Sequence, residues 1–327
     1  MSFLNVINNT WTKEELTELE RYKDKTLDFL VDLFKHKGFD RSRDAIKKKR
    51  SKLLKNKFAT IAKENSKELE KIEVKVSAKF ETTLCVADCH IHPGQNLDRF
   101  IALGKYANDK KPNNIIFLGD IGDFDSLSNW DSGKEASHGK RYKDEIKACK
   151  SALVLFLAQF DKDYKPNLVL LGGNHDQDRI ERYIATHAQL RGHLNLEEDL
   201  GLEELGFKFV PYRKFYEING TMFSHAIMSA SNSPVSGKSL MNTIASLVAK
   251  STVVGHHHKF ATMNFARHGS EDVLQVLLVG MFSEDTPSYA DGAVNSYSRS
   301  VCLLTHFGYG KFDTDQISID RLKAEYL

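Results

Sequence analysis

The chain has 327 residues, of which 41% are hydrophobic and 28% charged, and its formal net charge is +2. This composition is typical of a globular protein and excludes a disordered or fibrous chain. The length suits one large domain with a small accessory domain. The four cysteines form no C-x-x-C pair, no leader pattern opens the chain, and no stretch approaches the roughly 18 apolar residues of a membrane span. We therefore expect a cytoplasmic protein without membrane association.

The positive charge is concentrated near the N-terminus. Between Lys35 and Lys57, eleven Lys or Arg residues occur with only Asp40 and Asp44 as acidic neighbours. The rest of the chain is therefore mildly acidic. This asymmetry predicts a basic module attached to an acidic body.

The N-terminal segment predicts three short helices. Thr12, with Glu15 three residues on, predicts a capping box at the start of the first helix. Apolar residues then recur at helical spacing. Asp40 or Ser42 is expected to cap a third helix, whose outer faces are almost wholly basic.

This segment resembles the Myb/SANT-like and homeodomain-like helix-turn-helix modules. The similarity lies in Trp11-Thr12-x-Glu14-Glu15 and in Arg41-Ser42-x-x-Ala45-Ile46-Lys47-x-Lys49, with a departure at Phe34, where a second tryptophan is common. Such modules place a basic helix against DNA phosphates and base edges. The alternative is a solvated charged helix without a ligand. The DNA contacts that the resemblance implies are Arg41, Arg43, Lys47, Lys48, Lys49 and Arg50.

The remainder of the chain predicts a layered α/β domain. Short apolar runs rich in Val, Ile and Leu are separated by helical stretches. They cover residues 84–87, 115–118, 168–171, 252–254, 273–279 and 301–305. Each of the first three runs stops at a polar segment. Since side chains just past strand ends can converge from distant parts of a sequence, we expect these segments to form one site.

Five polar segments carry the donors of the expected site. They read D-C-H at 88–90, G-D-I-G-D at 119–123, G-N-H-D at 173–176, S-H at 224–225 and G-H-H-H at 255–258. Their oxygen and nitrogen donors suit two divalent cations side by side. His92 and His257 are further histidines, which we expect to pack or to line the substrate rim rather than bind metal.

The ordered set resembles the calcineurin-like metallophosphoesterase superfamily over about residues 80–310. Gly122-Asp123-Phe124-Asp125-Ser126-Leu127-Ser128 and Tyr289-Ala290 are most similar to its stand-alone bacteriophage and bacterial members, which would place a phage-encoded protein in the host cytoplasm. The resemblance implies two mixed β-sheets sandwiched between helices. The predicted regions are a basic helix-turn-helix domain at 1–57, a charged linker at 58–72 and a catalytic domain at 73–327.

The resemblance also implies roles for individual residues. Two divalent cations are expected, with Mn²⁺ favoured and Fe, Zn, Mg or Ni as alternatives. His175 is left free of metal and faces the substrate, and Asp123 orients its imidazole. The implied ligands are Asp88, His90 and His258 for the first metal, Asn174, His225 and His256 for the second, and Asp120 as the bridge between them.

Basic residues around these segments are candidates for binding the substrate phosphate. The stretch 125–150 is polar and basic enough to form a partial lid, in which Arg141 or Lys140 holds a phosphate oxygen. Arg179 and Arg182 are similar candidates. A surface helix with solvated charges is the alternative for the lid.

Two features bear on the identity of the substrate. Protein Ser/Thr phosphatases of this superfamily carry an Arg directly after the G-D-x-x-D block, where this chain has Phe124. The basic N-terminal segment favours a nucleic-acid phosphodiester. We therefore predict a DNA nuclease, with a phosphomonoesterase or nucleotide phosphodiesterase whose N-terminal domain serves recruitment or assembly as the alternative. A non-catalytic DNA-binding protein is a third hypothesis, which intact Asp120 and His175 oppose.

Overall fold

The structure is a computed structural model that describes residues 10–23, 25–53, 80–128, 134, 138–266, 273–285 and 296–327. The chain divides into two compact units, Met1–Ala78 and Lys79–Leu327. The predicted linker at 58–72, the domain limits at 57 and 73, and Tyr289-Ala290 lie outside the described residues. In the ranges that are described, no helix has both the length and the apolarity of a membrane span.

The described part of the N-terminal unit contains three helices, α1 (Lys13–Arg21), α2 (Leu27–His36) and α3 (43–53). The predicted capping box at α1 is confirmed, because Thr12 Oγ1 accepts from the Glu15 N–H and the Glu15 carboxylate accepts from the Thr12 N–H. Ser42 Oγ accepts from the Ala45 N–H, 3.3 Å away, and so caps α3.

The three helices share a small apolar core. Leu19, Leu30, Phe34 and Ile46 are buried, so each helix contributes to it. Phe34 lies at the centre, 5.8 Å from the Trp11 ring in an edge-to-face contact. An aromatic ring therefore fills the position at which the resembling modules often carry a second tryptophan.

The second unit alternates strands and helices. In chain order, the described elements are β1 (Thr82–Val86), α4 (Asp98–Lys110), β2 (Asn114–Phe117), α5 (Tyr142–Leu157), β3 (Asn167–Leu171), α6 (Gln177–Thr186), α7 (Leu196–Leu200), β4 (Phe207–Val210), β5 (Tyr216–Ile218), β6 (Thr221–Ser224), α8 (Leu240–Leu247), β7 (Thr252–Val254), β8 (Phe260–Ala266), β9 (Val273–Val279), β10 (Ser300–Gly308), β11 (Lys311–Ser318) and α9 (Ile319–Tyr326).

These strands form two mixed sheets, with the orders β11-β10-β1-β2-β3-β4 and β5-β6-β7-β9-β8. In the first sheet, β1 to β4 run parallel, and β10 and β11 add two antiparallel strands. In the second sheet, β6, β7 and β9 are parallel and are flanked by antiparallel β5 and β8.

Alternating side chains of the central strands fill separate layers. In β1, Leu84 and Val86 pack in the cluster that contains residues of α4, α5 and α9. Cys85, between them, packs in another cluster with Val253 and Leu277 of the second sheet. Strands buried on both faces read as continuous apolar runs, which explains the pattern in the sequence. The predicted α/β fold, two sheets flanked by helices with a small all-α N-terminal unit, is confirmed.

Candidate metal centre

The loops after parallel strands bring the polar segments together. Parallel strands end at one edge of a sheet, and Asp88 follows β1, Asp120 follows β2 and Asn174 follows β3. In the second sheet, His225 directly follows β6 and His256 lies two residues after β7. Open α/β sheets carry their sites at this edge.

The first group of donors consists of Asp88, His90 and His258, which are buried and offer ligand atoms within 4.8 Å of one another. The two Nε2 atoms of His90 and His258 are 3.0 Å apart, and His258 Nε2 is 3.4 Å from Asp88 Oδ1. Two nitrogens that each lie about 2.1 Å from one cation, at right angles, are about 3.0 Å apart. The spacing therefore fits a shared cation.

The second group consists of Asp120, His225 and His256, again with ligand atoms within 4.8 Å. His225 Nε2 is 3.3 Å from Asp120 Oδ2 and 2.9 Å from Asn174 Oδ1. Asp120 Oδ2 is buried and has no hydrogen-bond partner among the described residues. A buried carboxylate oxygen without a donor is expensive, and a cation would satisfy it. The role of Asp120 as a bridge between two metals stays a prediction.

Outer hydrogen bonds orient two of the imidazoles. His90 Nδ1 lies 2.7 Å from Asp123 Oδ1, and His225 Nδ1 lies 2.7 Å from the Leu118 carbonyl oxygen. Both partners are acceptors, so each Nδ1 carries a proton, and Nε2 is the nitrogen that can bind a cation once its own proton is displaced. The Asp88 carboxylate is oriented likewise, because it accepts from the His256 N–H at 2.8 Å.

The backbone is strained at most of the predicted ligands. Positive φ is rare for residues other than glycine and costs on the order of 1–3 kcal/mol at each position. Such strain clusters at functional sites, where the surrounding structure enforces it. The predicted ligands with positive φ are Asp88 (55°), His90 (46°), Asp120 (50°), His256 (65°) and His258 (56°).

Neighbouring charges and burial shift the pKa values of the histidines in the site. Burial opposes protonation of His90, but the Asp123 carboxylate beside it raises the pKa to about 9. Burial acts in the same sense on His225, and the Asp120 carboxylate raises its pKa to about 10. Burial and the neighbouring His225 lower the pKa of His256 to about 3. A divalent cation would supply the positive charge that ring protons otherwise provide. Together with the Asp120 oxygen, this donor set fits divalent metals.

His175 and Asp123, the predicted catalytic pair, lie beside the first group. Asp123 Oδ1 is 3.1 Å from His175 Nδ1 as well as 2.7 Å from His90 Nδ1. The His175 N–H donates to Asp120 Oδ1 at 2.8 Å. Asp123 therefore touches both a predicted ligand and the predicted substrate-facing histidine. The catalytic roles of the pair stay predictions.

Asp176 is a structural residue of the site that the sequence reasoning missed. It is buried and is the N-cap of α6. Its carboxylate accepts from the N–H groups of Gly173 and Gln177, and from that of Ile121 at 2.9 Å. Burial, with Asp120 nearby, raises its pKa to about 6. Asp176 thereby ties the loop after β3 to the loop after β2. An Asp just before a helix was the available signal.

A cavity of about 800 Å³ adjoins the first group of donors. Arg141 and Lys140 both lie on it, and Lys140 Nζ donates to Asp125 at 2.6 Å. His92 lies on it too, 3.0 Å from Asp285. Of the predicted lid, residues 142–150 belong to α5, whereas 129–133 and 135–137 lie outside the described residues. The lining residues are His90, His92, Pro93, Asp123, Asp125, His138, Gly139, Lys140, Arg141, Asp144, Glu145, Ser283 and Asp285.

In the N-terminal unit, Arg41 makes contacts within the unit itself. Its Nε donates to Glu15 Oε1 at 2.7 Å, and its Nη2 donates to the Thr10 carbonyl at 2.7 Å. The guanidinium also lies over the Trp11 ring, 5.1 Å from its centroid. The hydrogen bond from Arg41 lowers the pKa of Glu15, which is buried. Arg41 therefore ties the start of α1 to the start of α3.

The other predicted DNA contacts differ in their surroundings. Arg50 Nε donates to the Lys23 carbonyl at 2.6 Å. Arg43 pairs with Asp28, and both side chains are exposed. Three lysines lie on the outer side of α3. Lys47 and Lys48 are exposed, and Lys49 is half-buried.

Comparison with known proteins identifies the family. The model of the family Metallophos, calcineurin-like phosphoesterase, matches residues 82–276, more than half of the chain and most of the unit that carries the donor groups. The chain therefore belongs to the calcineurin-like phosphoesterase family. Its family and its donor groups are those of a metal-binding hydrolase of phosphate esters.

Two curated relatives are phage proteins. The gene 54 protein of Mycobacterium phage L5 is 23% identical over 211 residues, which cover 61% of this chain and 79% of the relative. The gene 54 protein of Mycobacterium phage D29 is 21% identical over 227 residues, with 67% and 87% covered. Among solved structures, Vps29 from Entamoeba histolytica, complexed with Zn²⁺, is similar with a TM-score of 0.33 and 11% identity, over 73% of this chain and 99% of that one.

Proposed function

We propose that this protein is a dinuclear metal-dependent phosphodiesterase that cleaves DNA, and that its N-terminal unit binds the nucleic acid. The observation that carries the reaction type is the pair of buried donor groups, one around His90 and His258 and one around Asp120 and His225. Mn²⁺ is the proposed metal, because oxygen and imidazole donors suit it, although Fe, Zn, Mg and Ni share this preference.

The residues of the site have different proposed roles. Cations held by the two groups would neutralise the charge on phosphate oxygens and would lower the pKa of a bound water molecule to near neutral pH. Asp123 fixes the His90 ring, and the Leu118 carbonyl fixes the His225 ring, so that both Nε2 atoms stay directed inward. His175 donates a hydrogen bond to the departing oxygen as negative charge develops there.

The charge of the cavity favours a phosphodiester over a monoester. Arginine pairs strongly with a phosphate dianion, often through two parallel hydrogen bonds. Phe124, at the position of that arginine in protein phosphatases, is fully buried and packs 5.7 Å from the Tyr142 ring. Lys140 is already paired with Asp125. Among the described lining residues, Arg141 is therefore the remaining lysine or arginine that could face a dianion, whereas a diester carries a single charge.

The surface of α3 supports the proposed DNA contact. Lys47 and Lys48 are exposed, and Arg43 shares only a surface ion pair with Asp28, which contributes little and yields to a phosphate at little cost. Arg41 and Arg50, in contrast, stabilise the N-terminal unit. The proposed contact to phosphates is therefore made by Lys47, Lys48 and Arg43, with Lys49 beside them.

One observation favours the second candidate, a nucleotide phosphodiesterase. Five carboxylates line the cavity, those of Asp123, Asp125, Asp144, Glu145 and Asp285. They repel a polyanion more strongly than a small diester with one phosphate. In that case the N-terminal unit would serve recruitment or assembly.

A cleavage assay tests the proposal and separates the two candidates. The protein with Mn²⁺ is expected to degrade supercoiled or linear DNA, and both Asp120→Asn and His175→Ala should abolish cleavage without unfolding the chain. Asp163→Asn and His193→Ala, two exposed positions, are matched controls that should retain full activity. Hydrolysis of a small nucleotide diester without DNA cleavage would support the second candidate. Hydrolysis of a simple monoester alone would exclude both.

A further inference from the structure

Arg179, on the first turn of α6, lies four residues after His175 and holds its imidazole. Arg179 Nη2 is 3.0 Å from His175 Nδ1. Arginine has donors only, so Nδ1 accepts this hydrogen bond and the ring proton is on Nε2. This contact therefore favours one tautomer of the histidine that is proposed to face the departing oxygen.

The guanidinium of Arg179 is itself anchored on its other side. Nη1 donates to the Asp123 carbonyl oxygen and to Asp125 Oδ1, the latter at 3.0 Å. Asp125 also accepts from Lys140. The side chain is about one-fifth exposed, at 19%. An arginine held at three points is a rigid support for a ring, and three of its five donors make these contacts within the protein. This weakens the prediction that Arg179 holds a substrate phosphate.

A second acceptor competes for the same ring nitrogen. Asp123 Oδ1 lies 3.1 Å from His175 Nδ1. A carboxylate only accepts, so in the neutral ring pairing with Asp123 would place the single proton on Nδ1 and leave Nε2 without one. The two neighbours of Nδ1 thus favour opposite tautomers, and only the tautomer favoured by Arg179 presents a donor at Nε2.

We propose that Arg179 is a positioning residue that keeps the proton of His175 on Nε2, so that this ring can donate a hydrogen bond to the departing oxygen. The inference rests on the proposed function for its kinetic consequence. Its structural part, the tautomer, does not depend on activity. In the variant Arg179→Met, Asp123 becomes the remaining partner of Nδ1, and the proton is expected to move there.

Nitrogen NMR tests the tautomer directly. Long-range ¹H–¹⁵N spectra of the metal-free protein, recorded where the ring is neutral, distinguish the two forms. The signals of His175 are identified by their loss in His175→Gln. The wild type is expected to show the Nε2–H form and Arg179→Met the Nδ1–H form. The same tautomer in both proteins would overturn the proposal.

Leaving-group kinetics test the consequence. The substrates are ethyl aryl phosphodiesters, with p-nitrophenol as a good leaving group and phenol as a poor one. Donation to the departing oxygen matters most when that oxygen holds more charge, so Arg179→Met should lose about a hundredfold or more in kcat on the phenyl ester and less than about tenfold on the p-nitrophenyl ester. Equal losses on both esters, or a change in KM alone, would overturn the positioning role.

Matched variants separate this role from folding and charge. Arg191→Met, at an exposed position five residues after the end of α6, should change neither readout. Arg179→Lys retains a donor and is expected to restore the Nε2–H form and part of the activity on the phenyl ester. If the wild type hydrolyses neither ester, the proposed function fails, and the NMR comparison still decides the role of Arg179.

Discussion

Gly173 is the position at which a single added methyl group should damage the metal centre most directly. Its φ is not positive, so space and not backbone conformation demands glycine there. A Cβ at Gly173 would lie 2.1 Å from Asp120 Oδ1 and 2.4 Å from Asp120 N. Asp120 Oδ1 accepts a hydrogen bond from the backbone N–H of His175. Asp120 N is a backbone atom and cannot rotate away. Gly173→Ala must therefore displace Asp120.

The cost follows from overpacking in a closed site. Inserting a methyl group where nothing can yield costs typically about 1–3 kcal/mol. For a unit of this size, that lowers Tm by about 2–4 °C per kcal/mol. The larger effect should be on the metal. A cation at about 100 times its Kd stabilises the fold by about 2.7 kcal/mol, and the variant should lose most of this stabilisation.

Thermal unfolding with and without Mn²⁺ measures both effects. The matched control is Gly192→Ala, where a Cβ meets nothing within 4 Å but φ is +81°. That substitution should cost about 1–2 kcal/mol through backbone strain and retain the full shift on adding Mn²⁺. If Gly173→Ala keeps the wild-type shift, then Asp120 is not a metal ligand in the arrangement described here.

Four further outcomes are expected. The raised pKa values of about 9 for His90 and about 10 for His225 mean that both rings are protonated in metal-free protein at pH 7. Because Mn²⁺ must displace these protons, its affinity should rise as the pH increases towards 9–10. Calorimetry in buffers of different ionisation enthalpy should show about two protons released per chain on binding. No proton release would contradict the assignment of these ligands. Asp120→Asn should weaken Mn²⁺ binding in equilibrium dialysis, and unchanged binding would exclude it as a ligand. Lys47→Glu should reduce DNA affinity and flatten its salt dependence in fluorescence titrations, and an unchanged slope would argue against the proposed α3 contact. Ile46→Ala should destabilise the N-terminal unit by about 2–5 kcal/mol in denaturant unfolding, and a loss below about 1 kcal/mol would contradict its place in the core.

The sequence predicted the central strands well, because they are buried on both faces. The runs at 84–87, 115–118 and 168–171 correspond to β1, β2 and β3 within a residue or two. The strands that it did not predict are partly exposed. In β8, for example, Met263 and Asn264 are exposed, so the strand lacks both a continuous apolar run and a clear alternation. Residues 207–210 and 216–218 are interrupted by the charged Lys208 and Glu217, and residues 221–224 begin with Thr and end with Ser, so none of them reads as a continuous apolar run.

The donor set of the site was predictable, whereas its supporting contacts were not. The sequence predicted that Asp88, Asp120 and Asn174 lie together, because the parallel strands before them end at one edge of the sheet. The resemblance implied that Asp123 contacts His175, but nothing in the sequence shows that Asp123 also contacts His90, which comes from a different loop. Arg179 was expected to bind phosphate; its contact with His175 was not predictable from the spacing, because His175 lies in the turn before α6.

The assignment of DNA contacts to individual basic residues was the least predictable part. Periodicity identifies the basic faces of α3 but does not say which cations are already paired. Arg41 is engaged by Glu15, 26 positions earlier, a contact that only the packing of α1 against α3 creates. The charge count of the segment therefore overstates the cations available to a phosphate backbone.

Bound metal per chain tests the central claim most directly. Protein stripped with chelator, dialysed against Mn²⁺ and analysed for metal and protein content should hold two Mn²⁺ per chain, as the two donor groups require. His90→Ala, which removes a donor from one group only, should reduce this content and leave the other group able to bind. A wild-type content of one or none under saturating Mn²⁺ would contradict the dinuclear centre and the mechanism built on it.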